Sequence, residues 1–153
     1  MPLETGDARK AQIARAFFAF CEPFGSFPEF LVLGETVRPP SLRCAEREEW
    51  FEPATSSGAK RDAAKRVRQV TRPLPSVVAG RFTAPNGDTG TILVNATPEP
   101  QRVSVVPVER ARPALLRRAD ASVETRWPAL PAEIEIVLEP FGSRLLVVPR
   151  GSP

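Results

Sequence analysis

Histidine and tyrosine are both absent from these 153 residues. Without histidine there is no Ser-His-Asp triad, no Cys-His dyad and no histidine-ligated metal site. Without tyrosine the chain lacks an amphipathic ring that recognition surfaces favour. Lysine is scarce: Lys10, Lys60 and Lys65 stand among 21 basic residues, and the rest are arginine. With 18 prolines and many alanines, this is the bias of a GC-rich bacterial coding sequence. The net charge of +3 therefore does not by itself call for a nucleic-acid partner.

Other absences narrow the class further. No apolar run approaches the roughly 20 residues that cross a bilayer. The opening "MPLETGDARK" has neither the basic nor the apolar part of a secretory signal, so a cytoplasmic protein without membrane contact is expected. There is no glycine-rich phosphate loop and no cysteine cluster of zinc spacing, and neither a metal nor a cofactor is expected. Cys21 and Cys44 can form a disulfide, but two buried free thiols fit a reducing compartment better.

What is present reads as globular. A hydrophobic share of 42% with 25% charged residues suits one ordinary domain, or a small domain with an appended segment. In "GDARKAQIARAFFAFCEPFG", Asp7 is placed to cap a helix, and Ile13, Phe17 and Phe20 with Ala14, Phe18 and Cys21 share one wide face. Pro23 and Gly25 should end that helix. Ser26, Pro28 and Glu29 then read as a capping box opening a second short element, helix or strand, which Arg38-Pro39-Pro40 stops.

From Ser41 to Arg72 the pattern dissolves into acidic residues around Trp50, a Ser/Gly break and the basic run Lys60–Arg72. After Pro75, seven short runs rich in Val, Ile, Leu and Thr follow one another, divided by Pro, Gly and Asn. Ile134, Ile136 and Leu138 alternate with glutamates, giving one buried and one wet face. "LLVV", apolar on both faces, fits a central strand or one covered by the helical segment. The expected fold class is mainly β: an antiparallel sandwich over 76–150, an irregular linker over 41–75, and a helical lead-in over 1–40. Ile92, Val94, Val103, Val105, Ile134, Ile136 and Leu138 are the expected core, all facing one side.

Several constellations invite a functional reading. Pro85-Asn86-Gly87-Asp88 has turn chemistry at every position, and Asp88 with Asn95 is a weaker candidate for carbohydrate contact. One carboxylate is too few for a calcium cage. Asn95-Ala96-Thr97 reads as turn initiation rather than a glycosylation acceptor. Trp50 and Trp127 are candidate stacking platforms for sugar rings, although Trp127 also suits a residue closing the sandwich core. Glu46, Glu48, Glu49 and Glu52 supply carboxylates of the kind glycoside hydrolysis pairs, but in a stretch with no scaffold to hold them. A solvated charge run accounts for them, and no catalytic residue is assigned.

The order of helix, "LVLGETVRPP", irregular link, "VVAGRFTAPNGDTGTILVNATPEPQRVSV" and closing "LEPFGSRLLVV" resembles the carboxyl end of large bacterial glycoside-hydrolase-like proteins, among them a group of unassigned function. The matching residues are Ala84 to Asp88, Gly90, and Leu93 to Asn95, and the resemblance spans about Ile13 to Val148. It implies a sandwich that follows a catalytic (β/α)8 barrel. Such a barrel takes about 250 residues, more than this chain offers, so no catalytic residue carries over. The resemblance implies a non-catalytic accessory sandwich, a fragment or remnant of a larger protein. Its partner would be a barrel contacting Phe17, Phe18 and Phe24, and carbohydrate is a further candidate. The alternative is a small basic adaptor binding nucleic acid or an acidic partner through Lys60–Arg72, although no aromatic is interleaved there for base stacking.

Overall fold

Residues 6–51 and 70–151 are described by the computed structural model. They fall into two units, Met1–Ala45 with Ser76–Pro153, and Glu46–Pro75. Glu52 and most of the basic run, residues 60–69, lie outside the described residues.

All seven strands expected after Pro75 form. In the larger unit they are β5 (Val77–Thr83), β6 (Thr89–Asn95), β7 (Gln101–Val106), β8 (Ala114–Arg118), β9 (Val123–Trp127), β10 (Ile134–Leu138) and β11 (Ser143–Val148). Two short strands from the N-terminal segment, β1 (Glu35–Val37) and β2 (Ser41–Arg43), join them. One sheet has the order β1-β5-β6-β11-β8-β9 and the other β10-β7-β2, with every pairing antiparallel. The chain crosses between the sheets from β1 to β2 and again after β6, β7, β9 and β10, which makes a sandwich rather than a meander. β11 is central, and all six of its residues are buried, as its run of apolar side chains on both faces predicts.

The sandwich interior is built from Val77, Leu93, Ala114, Leu116, Leu146 and Val148 of the large sheet. Facing them are Val103, Val105, Ile134, Ile136 and Leu138 of the small one. Trp127 is partly buried against this core and helps close it. Ile92 and Val94 are buried too, but on the opposite face of the large sheet, with Leu145, Val147, Phe27 and Phe30. This corrects the expectation that all seven core candidates face one way. Leu93 points into the sandwich, while its neighbours point at the helices.

Those helices are α1 (Gly6–Ser26) and α2 (Pro28–Leu31). Phe27 is fully buried and Phe30 is 2% exposed. The Arg117 guanidinium stands 5.7 Å from the centroid of the Phe27 ring and donates to Glu29 at 3.4 Å, tacking α2 to the sheet. Pro23 does not end α1. It sits in the last turn with its ring buried, and its carbonyl accepts from the Phe27 amide at 2.8 Å. The capping box does not form either, because Ser26 is still helical. Phe27 is the N-cap of α2, with no side-chain cap bond. Asp7 lies within α1, one residue past its start.

The linker expectation is also corrected. Ser41–Arg43 is a strand of the small sheet, and within the smaller unit β3 (Glu46–Phe51) pairs antiparallel with β4 (Val70–Pro75). Glu46, Glu48 and Glu49 thus lie on a strand, not in an irregular segment. The cysteines are free, but Cys21 is exposed and Cys44 only half-buried, its thiol 3.8 Å from the Val77 carbonyl oxygen.

Candidate functional site

The sequence candidates scatter. Trp50 lies on β3 opposite Thr71, and its side chain falls outside the described residues. Trp127 packs on the sandwich core. Asp88 ends the β5–β6 turn, while Asn95 sits at the far end of β6. No common surface joins Asp88, Asn95 and Trp127 into one sugar site.

Asn95 is wholly buried, and its amide is saturated. Its Nδ2 donates to the carbonyls of Glu99 at 2.7 Å and Glu139 at 2.8 Å. Its Oδ1 accepts from the Thr97 amide at 2.9 Å and the Thr97 hydroxyl at 2.7 Å. The residue ties the β6–β7 crossing to the β10–β11 turn and has no surface left for a ligand, which removes it from the carbohydrate candidates.

Asp88 is half-buried rather than a freely solvated turn residue. Asn86 Oδ1 accepts from the Asp88 amide at 3.0 Å, an Asx turn, and Asn86 Nδ2 donates to Asp88 Oδ2 at 2.9 Å. Asp88 Oδ1 accepts from the Arg150 amide at 2.8 Å, so the carboxylate ties the hairpin to the segment after β11. Gly87 takes φ +87° at the tip, a backbone conformation that glycine accepts without strain.

A groove of about 510 Å³ opens beside this turn, lined by Gly87, Thr89, Glu109, Arg112, Arg150 and Gly151. Arg150 lies across Gly87, its Cδ 2.5 Å from where a Cβ on that residue would stand. Arg112 lies against Gly151, its Nη2 3.0 Å from the equivalent point, and donates to the Pro149 carbonyl at 2.9 Å. Glu109 is engaged by Arg81 in a largely buried ion pair. Neither Arg112 nor Arg150 stood out in the sequence.

At another end of the sandwich Arg144 is 5% exposed and bridges two carboxylates. It donates from Nε to Glu124 at 2.6 Å and from Nη2 to Glu139 at 2.8 Å, and from Nη1 to the Ser143 carbonyl at 2.9 Å. Arg118 also reaches Glu124, at 3.1 Å. Burial pushes the Glu124 carboxyl up, but the hydrogen bonds and charges of Arg144 and Arg118 outweigh it and hold the group below its ordinary range. The Arg144 hydrogen bond does the same for Glu139. The guanidinium itself is opposed by burial and held charged by both carboxylates. Every charge here is answered within the cluster, which suits a clamp closing the sandwich rather than a reactive centre.

The remaining feature is α1. Of its described side chains, Ala19 and Pro23 are buried, whereas Ile13 is 61%, Phe17 64%, Phe18 68% and Phe24 52% exposed. The Phe17 and Phe18 rings meet edge to face at 6.2 Å. Phe18 and Ala19 also border an apolar hollow of about 290 Å³ with Arg15, Glu22 and Phe141. Phe27 and Phe30 go into the core, whereas Phe17, Phe18, Phe20 and Phe24 are exposed.

Residues 75–146, a little under half of the chain, match the family described as the C-terminal immunoglobulin-like domain of D-apionate lactonase. This part of the chain is similar to that accessory domain. Among solved structures, CelM2, a bifunctional glucanase-xylanase from a metagenome library, aligns at 11% identity with a TM-score of 0.39. The alignment covers 54% of this chain and 18% of that one. No curated protein matches the chain. The matched family is named for a lactonase, where the sequence resemblance points to glycoside-hydrolase-like proteins. Common to both is a carboxyl-terminal β-sandwich.

Proposed function

We propose that this chain acts as a non-catalytic accessory module, an immunoglobulin-like sandwich that buttresses the catalytic domain of a carbohydrate- or sugar-acid-processing enzyme. The observation that carries the reading is the exposed aromatic face of α1. In the matched family the sandwich is carboxyl-terminal, so the body it serves precedes it in sequence. α1 is the element that precedes the sandwich here, and it leaves Ile13, Phe17, Phe18 and Phe24 uncovered. A contiguous apolar surface of this kind is costly in water and marks an interface. The proposed occupant is a catalytic barrel, on the same polypeptide or on a partner.

The residue inventory supports a module without chemistry of its own. Opening a lactone or a glycosidic bond needs a positioned base or carboxylate pair. With no histidine, that work would fall to carboxylates, and Glu124 and Glu139 are held ionised in the Arg144 clamp. Purified chain offered a panel of sugar lactones and aryl-glycosides is expected to match the enzyme-free blank. A rate abolished by a single substitution such as Glu49→Gln would overturn the reading.

A further inference from the structure

β3 and β4 form a sheet of two strands. A two-stranded ladder is marginal by itself in water, and each strand leaves one edge of backbone donors and acceptors without a partner strand. The two edges are not alike. In an antiparallel pair, alternate residues turn N–H and C=O toward the partner strand, and the others turn both outward. Proline has no N–H to give, so Pro73 and Pro75 can stand only at outward positions, and Glu48 and Glu46 across from them are outward too. The β4 edge therefore has no donor at 73 or 75. The β3 edge keeps its donors: Glu46, Glu48 and Trp50 each turn an N–H and a C=O outward, and no described strand pairs with them there.

The two faces of the ladder also differ in charge. Glu49 stands across from Arg72, an opposite-charge pair in register. Glu46 and Glu48, on the other face, stand across from Pro75 and Pro73, which carry no charge, and both glutamates are exposed. A cation directly across from them within the sheet has to come from a strand on the open side. We propose that the β3 edge docks an extended basic segment of a partner protein, which adds a third strand with lysine or arginine at alternate positions facing Glu46 and Glu48. A second copy of β3 does not fit, because two-fold pairing centred here sets glutamate against glutamate. The site belongs to the smaller unit and does not depend on what covers α1.

The test is an amide-resolved NMR titration of the full chain with a heptapeptide that alternates lysine with valine and threonine, and with the same peptide carrying glutamate for lysine. The basic peptide is expected to give saturable shifts at Glu46 and Glu48 and to slow hydrogen exchange of their amides by about tenfold or more; the acidic peptide should do neither. Glu48→Pro removes an outward donor without touching the β3–β4 ladder, and should weaken the basic peptide by about tenfold. Glu48→Gln keeps the backbone and should weaken it by about threefold at low salt, a difference that fades at high salt. No saturable shift, equal binding of the acidic peptide, or unaltered affinity in both variants would each overturn the assignment. So would amides at Glu46 and Glu48 that are already protected before peptide is added, since the edge would then be filled, by a second copy if the protection rises with protein concentration.

Discussion

Asn95 and Arg144 show how much a single buried polar side chain can organise. Asn95 presents two donors to two carbonyls and one oxygen to two donors. Asn95→Asp puts a carboxylate oxygen where the Glu99 and Glu139 carbonyls need a donor. It should therefore lower stability by about 3 kcal/mol near neutral pH, read as a fall in the urea midpoint at unchanged slope. Arg144 closes its corner by charge. Glu124 and Glu139 have lowered folded pKa values, so their stabilisation is fully present above the ordinary value of 4.5 and is lost as pH falls through the folded values. Arg144→Met removes the partner and keeps much of the volume. A loss of about 2 kcal/mol is expected, modest for a buried ion pair because Glu139 is 61% exposed. The variant should also lose much of the wild type's extra acid sensitivity below that pH, measurable by denaturation at a series of pH values.

Among the elements, β6 carries the most unusual load, with six of its seven residues buried. Leu93 fills the sandwich while Ile92 and Val94 meet the helices. Gly90 is the seat of the Phe30 ring, whose Cδ1 stands 2.6 Å from where a Cβ would be. Gly90→Ala should thus cost about 2 kcal/mol by overpacking, and Phe30→Ala about 3–4 kcal/mol by opening a cavity. The double variant should cost clearly less than the sum, because the ring that collides with the new methyl is gone. An additive result would mean that Gly90 is kept for its backbone and not for Phe30.

For the molecule as a whole, stability and solubility should separate. Phe17, Phe18 and Phe24 contribute little to the fold of this chain because solvent already reaches them. Changing each to Ser should leave the unfolding midpoint within about 0.5 kcal/mol of wild type. The same variants should reduce binding of an apolar dye and the concentration-dependent rise in light scattering. A wild-type chain that stays monomeric at high concentration and binds no dye would show that the α1 face is not an interface. Phe27→Ser is the contrasting control: its ring is fully buried, and the fold should weaken sharply.

The sequence by itself determined the sandwich and its seven strands, and it marked "LLVV" as a strand covered on both faces. Each rests on a local pattern, a period of two or a continuous apolar run. It did not determine which face of β6 would be covered from which side, because alternation says which residues share a face and not what lies opposite. The apparent capping box at Ser26 was overridden because α1 runs through it and Phe27 anchors the next turn. Ser41–Arg43 looked irregular since three residues carry no readable period; its partner in β7 lies about sixty residues further on. Asn95 read as a turn former, and only the approach of Glu139, 44 residues later, made it a buried tie. The groove was hidden for the same reason: Gly87, Arg112 and Arg150 meet only when hairpin, crossing and closing strand pack together, and contacts of that range are set by tertiary structure alone.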